Sequence, residues 1–110
     1  MKIVYICSPL RGDYERNIKR AKCLCRKAAI EHNVIPIAPH IYFTQFLDDA
    51  NADERQLGMD LGLELLERCD EVWVDVIDDP SEGMNAEIAL AKSLGIPVIE
   101  IREALCTAVY

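Results

Sequence analysis

Basic residues are scarce in this 110-residue chain. Twelve Lys and Arg stand against nineteen Asp and Glu, a formal charge of −7, and the pI is near 4.7. A general nucleic-acid binder neutralises phosphates with an excess of cations, so no polymeric nucleic acid is expected as a partner. No window holds the roughly 18–20 apolar residues of a membrane span, so no membrane partner is expected either. The start, MKIVYICSP, is a short β-like run rather than a charged segment leading into a long apolar one, and a cytoplasmic location is the expectation. Metal-binding spacings are missing as well. Cys7, Cys23, Cys25, Cys69 and Cys106 are odd in number, Cys23 and Cys25 form C-x-C, and His32 and His40 complete no zinc pattern. Neither a disulfide framework nor a metal site is expected, and the thiols read as small buried apolar groups. Cys7 and Arg11 stand too close together for the phosphatase cradle C-x5-R. The glycine fingerprints G-x-G-x-x-G and G-x-x-x-x-G-K-[ST] are absent, which argues against dinucleotide oxidoreductases and P-loop enzymes. A receiver domain needs a lysine after a late strand, and none follows Ile101.

What is present fits one small domain over residues 1–110, with 51% apolar and 28% charged residues. Charge is uneven: residues 1–30 carry eight Lys/Arg and two Asp/Glu, whereas residues 31–110 carry four and seventeen. The basic excess lies on Arg16, Lys19, Arg20, Lys22, Arg26 and Lys27. It reads as a solvated helix face, or as a mild attraction for a phosphorylated small molecule.

Lys2–Cys7 reads as a buried strand and Tyr14–Glu31 as a helix with Ile18, Ala21, Cys25 and Ala28 inward. Val34–Ala38 reads as a strand that Pro36 confines to an edge, and Ile41–Leu47 as a short helix. A helix over Glu54–Arg68 takes its stripe from Leu57, Leu61 and Leu65. Glu71–Ile77 is the third strand, Met84–Leu94 a helix closed by Gly95, and Ile96–Ile101 the fourth strand, before a short, helical tail. Alternation of this kind predicts a Rossmann-like or flavodoxin-like three-layer α/β sandwich, its mostly parallel sheet having about four strands. Ligands bind such sheets at the carboxyl ends of the strands, here residues 8–13, 38–42 and 77–85.

The chemistry-bearing segment is SEGMNAEIALA, residues 81–91. Glu87 follows Met84 by three and precedes Ala91 by four, so it shares the inward stripe. A carboxylate there either interacts with the helix dipole or does nucleophilic or acid–base work. Gly83 allows close backbone approach, and Ser81 can donate to a phosphate or hydroxyl. Asp75 and Asp78 read either as groups that hold a base or tune Glu87, or as solvated turn carboxylates. Tyr5, Arg11 and His40 read either as structural residues or as substrate contacts.

These residues resemble the nucleoside 2-deoxyribosyltransferase-like superfamily. The stretch SEGMNAEIALAKSLGIPVI is similar to its G-x-x-x-E-[IL]-x-x-A segment, and YICSPLRGD to its first strand and loop. The likeness spans residues 2–101, and Pro80-Ser81 with Glu87 six residues beyond the serine is similar to the 2′-deoxynucleoside 5′-phosphate N-hydrolase branch. The resemblance implies Glu87 as nucleophile, Tyr5 beside it, Ser81 against a phosphate and Arg11 near the substrate. Ser8-Pro9 stands where the family often has Gly-Ser, so Ser8 is the candidate replacement donor. The family's assisting aspartate falls on Gly62; the nearest acid, Asp60, lies about 200° around the helix.

The implied reaction is cleavage of the N-glycosidic bond of a 2′-deoxynucleoside or its 5′-monophosphate, with Asp60 or Asp75 assisting the base and no cofactor. Ser8, Arg11, His40, Asp75, Ser81, Gly83 and Met84 would hold the substrate, with Arg11, Ser81 and the start of the Met84 helix on a 5′-phosphate. The alternative is a non-catalytic nucleotide-binding module, a sensor or sequestering protein. Ala86, Ala89, Leu90 and Leu94 make the last helix apolar nearly all round, which predicts a homodimer or larger homo-oligomer.

Overall fold

The aliphatic run Ile3-Val4-Tyr5-Ile6 builds the central strand of the fold, seen in a computed structural model that describes residues 1–102. The elements follow as β1 (Ile3–Cys7), α1 (Tyr14–Glu31), β2 (Ile35–Ile37), α2 (Pro39–Phe43), α3 (Ala52–Leu66), β3 (Glu71–Asp75), α4 (Glu82–Ser93) and β4 (Val98–Ile101). Cys106 and the expected helical tail beyond Arg102 lie outside the described residues. The strands form one sheet in the order β2-β1-β3-β4, and every pairing is parallel. Among the described residues no helix is long and apolar enough to cross a membrane.

Strand alternation sends side chains to two cores. Tyr5 and Cys7 of β1 and Val72 and Val74 of β3 pack with Leu66, Met84 and Ala91 on the face covered by α3 and α4. Val4 and Ile6 pack with Cys23 and Leu24 of α1 on the other face. The result is the three-layer α/β/α sandwich. The chain runs from β1 out to β2 and returns past β1 to β3, so the strand order reverses between β1 and β3, and a crevice opens there at their carboxyl ends.

Capping moves several boundaries away from the sequence expectation. Asn51 accepts from the backbone N–H of Asp53 and Glu54 at 3.0 and 3.1 Å, so α3 starts two residues early. Ser81 accepts from Met84 N–H at 3.2 Å and starts α4 at Glu82. Pro39 opens α2, where its missing N–H costs nothing. Gly95, just past α4, has φ +72°, as its reading as a helix-ending residue requires.

Two stripes are corrected. On α1 the buried set is Asn17, Arg20, Ala21, Cys23, Leu24 and Ala28, so Arg20 is not part of a solvated basic face. On α3 the buried positions are Gly62 and Leu66, and Leu57 is 47% exposed. Cys7, Cys25 and Cys69 carry free thiols. Cys23 is disulfide-bonded, which corrects its reading as a plain buried thiol.

Candidate functional site

The crevice holds a cavity of about 440 Å³, a size typical of small-molecule sites. β1 supplies Tyr5 from its buried face, 3% exposed, and is followed directly by Ser8. α2 supplies His40, α3 the wall around Gly58 and Gly62, and α4 supplies Ser81, Gly83, Met84 and Glu87. Met84 is buried at the floor, where its carbonyl accepts from the Cys7 thiol at 3.9 Å.

Glu87 is half-buried one turn into α4, and the Tyr5 hydroxyl hydrogen-bonds its carboxylate. Burial pushes the Glu87 carboxyl up to about 7, against the smaller opposing effect of the Tyr5 bond. Burial likewise pushes the Tyr5 phenol far up, and the Glu87 charge pushes the same way, so Tyr5 remains a hydrogen-bond donor. A Cβ built on Gly62 would lie 3.2 Å from the Tyr5 hydroxyl and 3.9 Å from Pro39 Cβ. The absent side chain at Gly62 is therefore what leaves Tyr5 room to stand beside Glu87.

Ser8 Oγ and His40 Nε2 lie 2.8 Å apart on the opposite wall. Burial lowers His40 to about 4, so its ring is neutral at neutral pH. Arg11 lies at the cavity rim, 3.6 Å from Asp49. Ser81 caps α4 while lining the cavity, and a Cβ on Gly83 would meet nothing within 4 Å.

The structure thus brings Tyr5, Ser8, Arg11, His40, Ser81, Gly83, Met84 and Glu87 to one cavity. It does not bring Asp60 there. Asp60 is exposed, and Gln56 Nε2 donates to it at 2.9 Å along the outer face of α3. Nor does it bring Asp75, which alternates with Val74 and so faces α1 rather than Glu87. There Arg20 grips it with Nε on one oxygen and Nη2 on the other at 2.9 Å, and the Ile77 N–H donates to it at 3.1 Å. Both assignments as assisting acid or substrate contact are corrected by these positions. Asp49, Glu54, Arg55 and Gly58, to which the sequence attaches no role, also line the cavity, as does Gly62. The i, i+4 spacing of the two glycines on α3 was the available signal.

A folding consequence can be measured. Glu87 has a folded value near 7, above the ordinary 4.5. The folded state therefore takes up protons between those values, and stability falls as pH rises from about 4.5 to about 7 and then levels. Glu87→Gln is expected to raise the melting temperature at pH 8 by an amount worth ~1–3 kcal/mol and to leave it nearly unchanged at pH 4. Equal shifts at both pH values in calorimetry would contradict the burial of the charge.

The family described as a domain of unknown function, DUF7768, matches residues 2–101. The chain belongs to that family. Among solved structures, the 2-deoxyribosyltransferase of the psychrotolerant bacterium Bacillus psychrosaccharolyticus superposes with a TM-score of 0.68 at 17% identity, covering 96% of this chain and 80% of that one. At such identity the likeness shows the shared fold. No curated protein matches this chain.

Proposed function

We propose that the protein cleaves the N-glycosidic bond of a 2′-deoxynucleoside or its 5′-monophosphate, by hydrolysis or by transfer of the deoxyribosyl group. The carrying observation is the Glu87–Tyr5 pair, held in a cavity at the carboxyl ends of β1 and β3, in a fold that a 2-deoxyribosyltransferase also adopts. The Glu87 carboxylate adds to the anomeric carbon while the base leaves with the electron pair of the glycosidic bond, through an oxocarbenium-like transition state. Water then attacks the same carbon and frees the carboxylate, and the proton it loses balances the one taken up by the departed base; a second base in place of water completes transfer. Tyr5 fixes one carboxylate oxygen and turns the other toward the sugar. Ser8, His40, Arg11, Ser81 and the backbone at Gly83 and Met84 hold the substrate. This reading gives Asp60 and Asp75 no part as acid, since Gln56 donates to Asp60 and Arg20 holds Asp75.

The lack of that acid, together with Gly62 standing where the resemblance expects an aspartate, favours a second reading: a nucleotide-binding module without turnover. A panel of deoxynucleosides and monophosphates, with and without an acceptor base, separates the two. Free base by chromatography, or a deoxyribosyl adduct on Glu87 by intact mass, supports the enzyme. A thermal shift without base release supports the binding module, and neither response rejects both.

We further read residues 1–110 as a single domain that works as a homodimer or larger assembly. Ala86 and Ala89 are exposed along α4, and Leu94 at its end is 48% exposed. Light scattering at micromolar concentration is expected to give at least twice the 12.4 kDa chain mass. A monomer would remove the assembly.

A further inference from the structure

We infer that the cavity takes nucleosides whose base already carries a positive charge, an N-quaternised heteroaromatic ring that departs as a neutral molecule. The inference rests on the glycosidic reading of Glu87 and adds to it the chemical class of the leaving group. A neutral base leaves as an anion unless a positioned acid hands it a proton, help worth ~10²–10⁴-fold. Among the described residues that line the cavity, no such acid stands beside Glu87. The Tyr5 hydroxyl is spent on the Glu87 carboxylate, and burial holds its proton tightly. His40 is neutral at neutral pH, and its Nε2 is joined to Ser8 Oγ. Asp49 faces Arg11, and Glu54 accepts from the Asp48 N–H at 3.1 Å. Glu82 is exposed in the first turn of α4. The α3 wall offers only Gly58 and Gly62 at the positions nearest Leu47 and Tyr5.

A quaternised base needs no acid. The Glu87 carboxylate bonds to the anomeric carbon, the C–N bond breaks, and its electron pair cancels the charge of the ring. Water then displaces the carboxylate from the same carbon and gives its proton to solvent. The lining fits such a cation in a second, independent way. Asp49, Glu54, Glu82 and Glu87 stand against Arg11 and Arg55, and Asp49 already answers Arg11 at 3.6 Å. Each charge is partly solvated and individually weak, but the acids act together on a cation. Phe43, half-buried in the lining, offers an aromatic face of the kind that attracts a cationic ring. Burial without a cationic neighbour is what raises the Glu87 carboxyl, and a cation bound beside it would restore the carboxylate that attacks. Substrate and nucleophile would thus each supply the charge that the other lacks.

The test compares the 2′-deoxyriboside of nicotinamide, a fixed cation, with neutral 2′-deoxyinosine. For each, kcat/KM is divided by the rate of cleavage without enzyme, so that intrinsic lability cancels. That ratio is expected to be about tenfold or more larger for the cation at low salt, and the advantage to shrink at high salt. Asp49→Asn and Glu54→Gln are expected to raise KM for the cation severalfold and to change its kcat less. Calorimetry with two unreactive rings of one shape, cationic 1-methylnicotinamide and neutral 3-methylbenzamide, is expected to show tighter binding of the cation by a similar factor. An equal or larger ratio for 2′-deoxyinosine, or equal binding of the two rings, overturns the inference and leaves the glycosidic reading standing. An advantage that ignores salt and both substitutions also overturns it, because charge would not be the cause. If neither nucleoside is cleaved, the glycosidic reading itself falls and takes this inference with it, a result distinct from the others.

Discussion

Glu87→Ala is expected to lower kcat/KM for glycosidic cleavage by on the order of 10³-fold or more, the scale seen when a covalent nucleophile is removed. Glu87→Gln should lose activity to the same degree while being the more stable protein at pH 8, so the loss cannot be assigned to unfolding. Because the attacking group is the carboxylate, wild-type kcat/KM should climb as pH rises through about 7, the value to which burial lifts Glu87. The Tyr5 bond pulls that value down, so Tyr5→Phe should move the acid limb to higher pH and slow the reaction less than loss of Glu87 does. Rapid-quench assays with intact-mass detection read both effects. A Glu87→Ala protein that retains full activity would end the covalent mechanism.

Breaking the Arg20–Asp75 pair is expected to cost ~3–5 kcal/mol, because each substitution strands a buried charge. The side chains are 6% and 0% exposed, so water cannot take over the lost partner. For a domain of this size the loss corresponds to a fall in melting temperature of ~15 °C or more. Arg20→Ala and Asp75→Ala should be about equally damaging, whereas Arg20→Met combined with Asp75→Leu should recover most of the stability. Urea unfolding decides: a cost below ~1 kcal/mol for either single change would mean that the pair is solvated in solution.

The contrast between these two pairs explains what could be read in the sequence. The helix at Tyr14–Glu31 was legible to the residue, because Asp13 is a strong cap and the pattern behind it is periodic. Edge placement of β2 followed from Pro36. The stretch around Glu87 was legible because a carboxylate on an apolar stripe is conspicuous. Arg20 was not, because its neighbours Lys19 and Lys22 made it look like one more solvated cation, and only its spacing from Asn17, Ala21 and Leu24 marked it as inward. The orientation of α3 was misread for a related reason. Its leucines drew attention, yet its inner face toward the cavity is built around Gly58 and Gly62, which carry no apolar signal at all. Tertiary partners decided both cases: Asp75 lies 55 positions from Arg20, and Tyr5 lies still farther from Gly62.

The central place of β1 also bears on how the chain emerges from the ribosome. Ile6 and Cys7 pair on the inner side of the sheet with Trp73 and Val74, which are made later. At synthesis rates of about 5–20 residues per second, that partner strand arrives ~3–13 s later. During this interval Ile3-Val4-Tyr5-Ile6 is an unpaired apolar segment with two open edges. Only β2 can join it early, and that strand is three residues long. The candidate site is therefore completed only after α4, which carries Glu87, has joined β1 and β3.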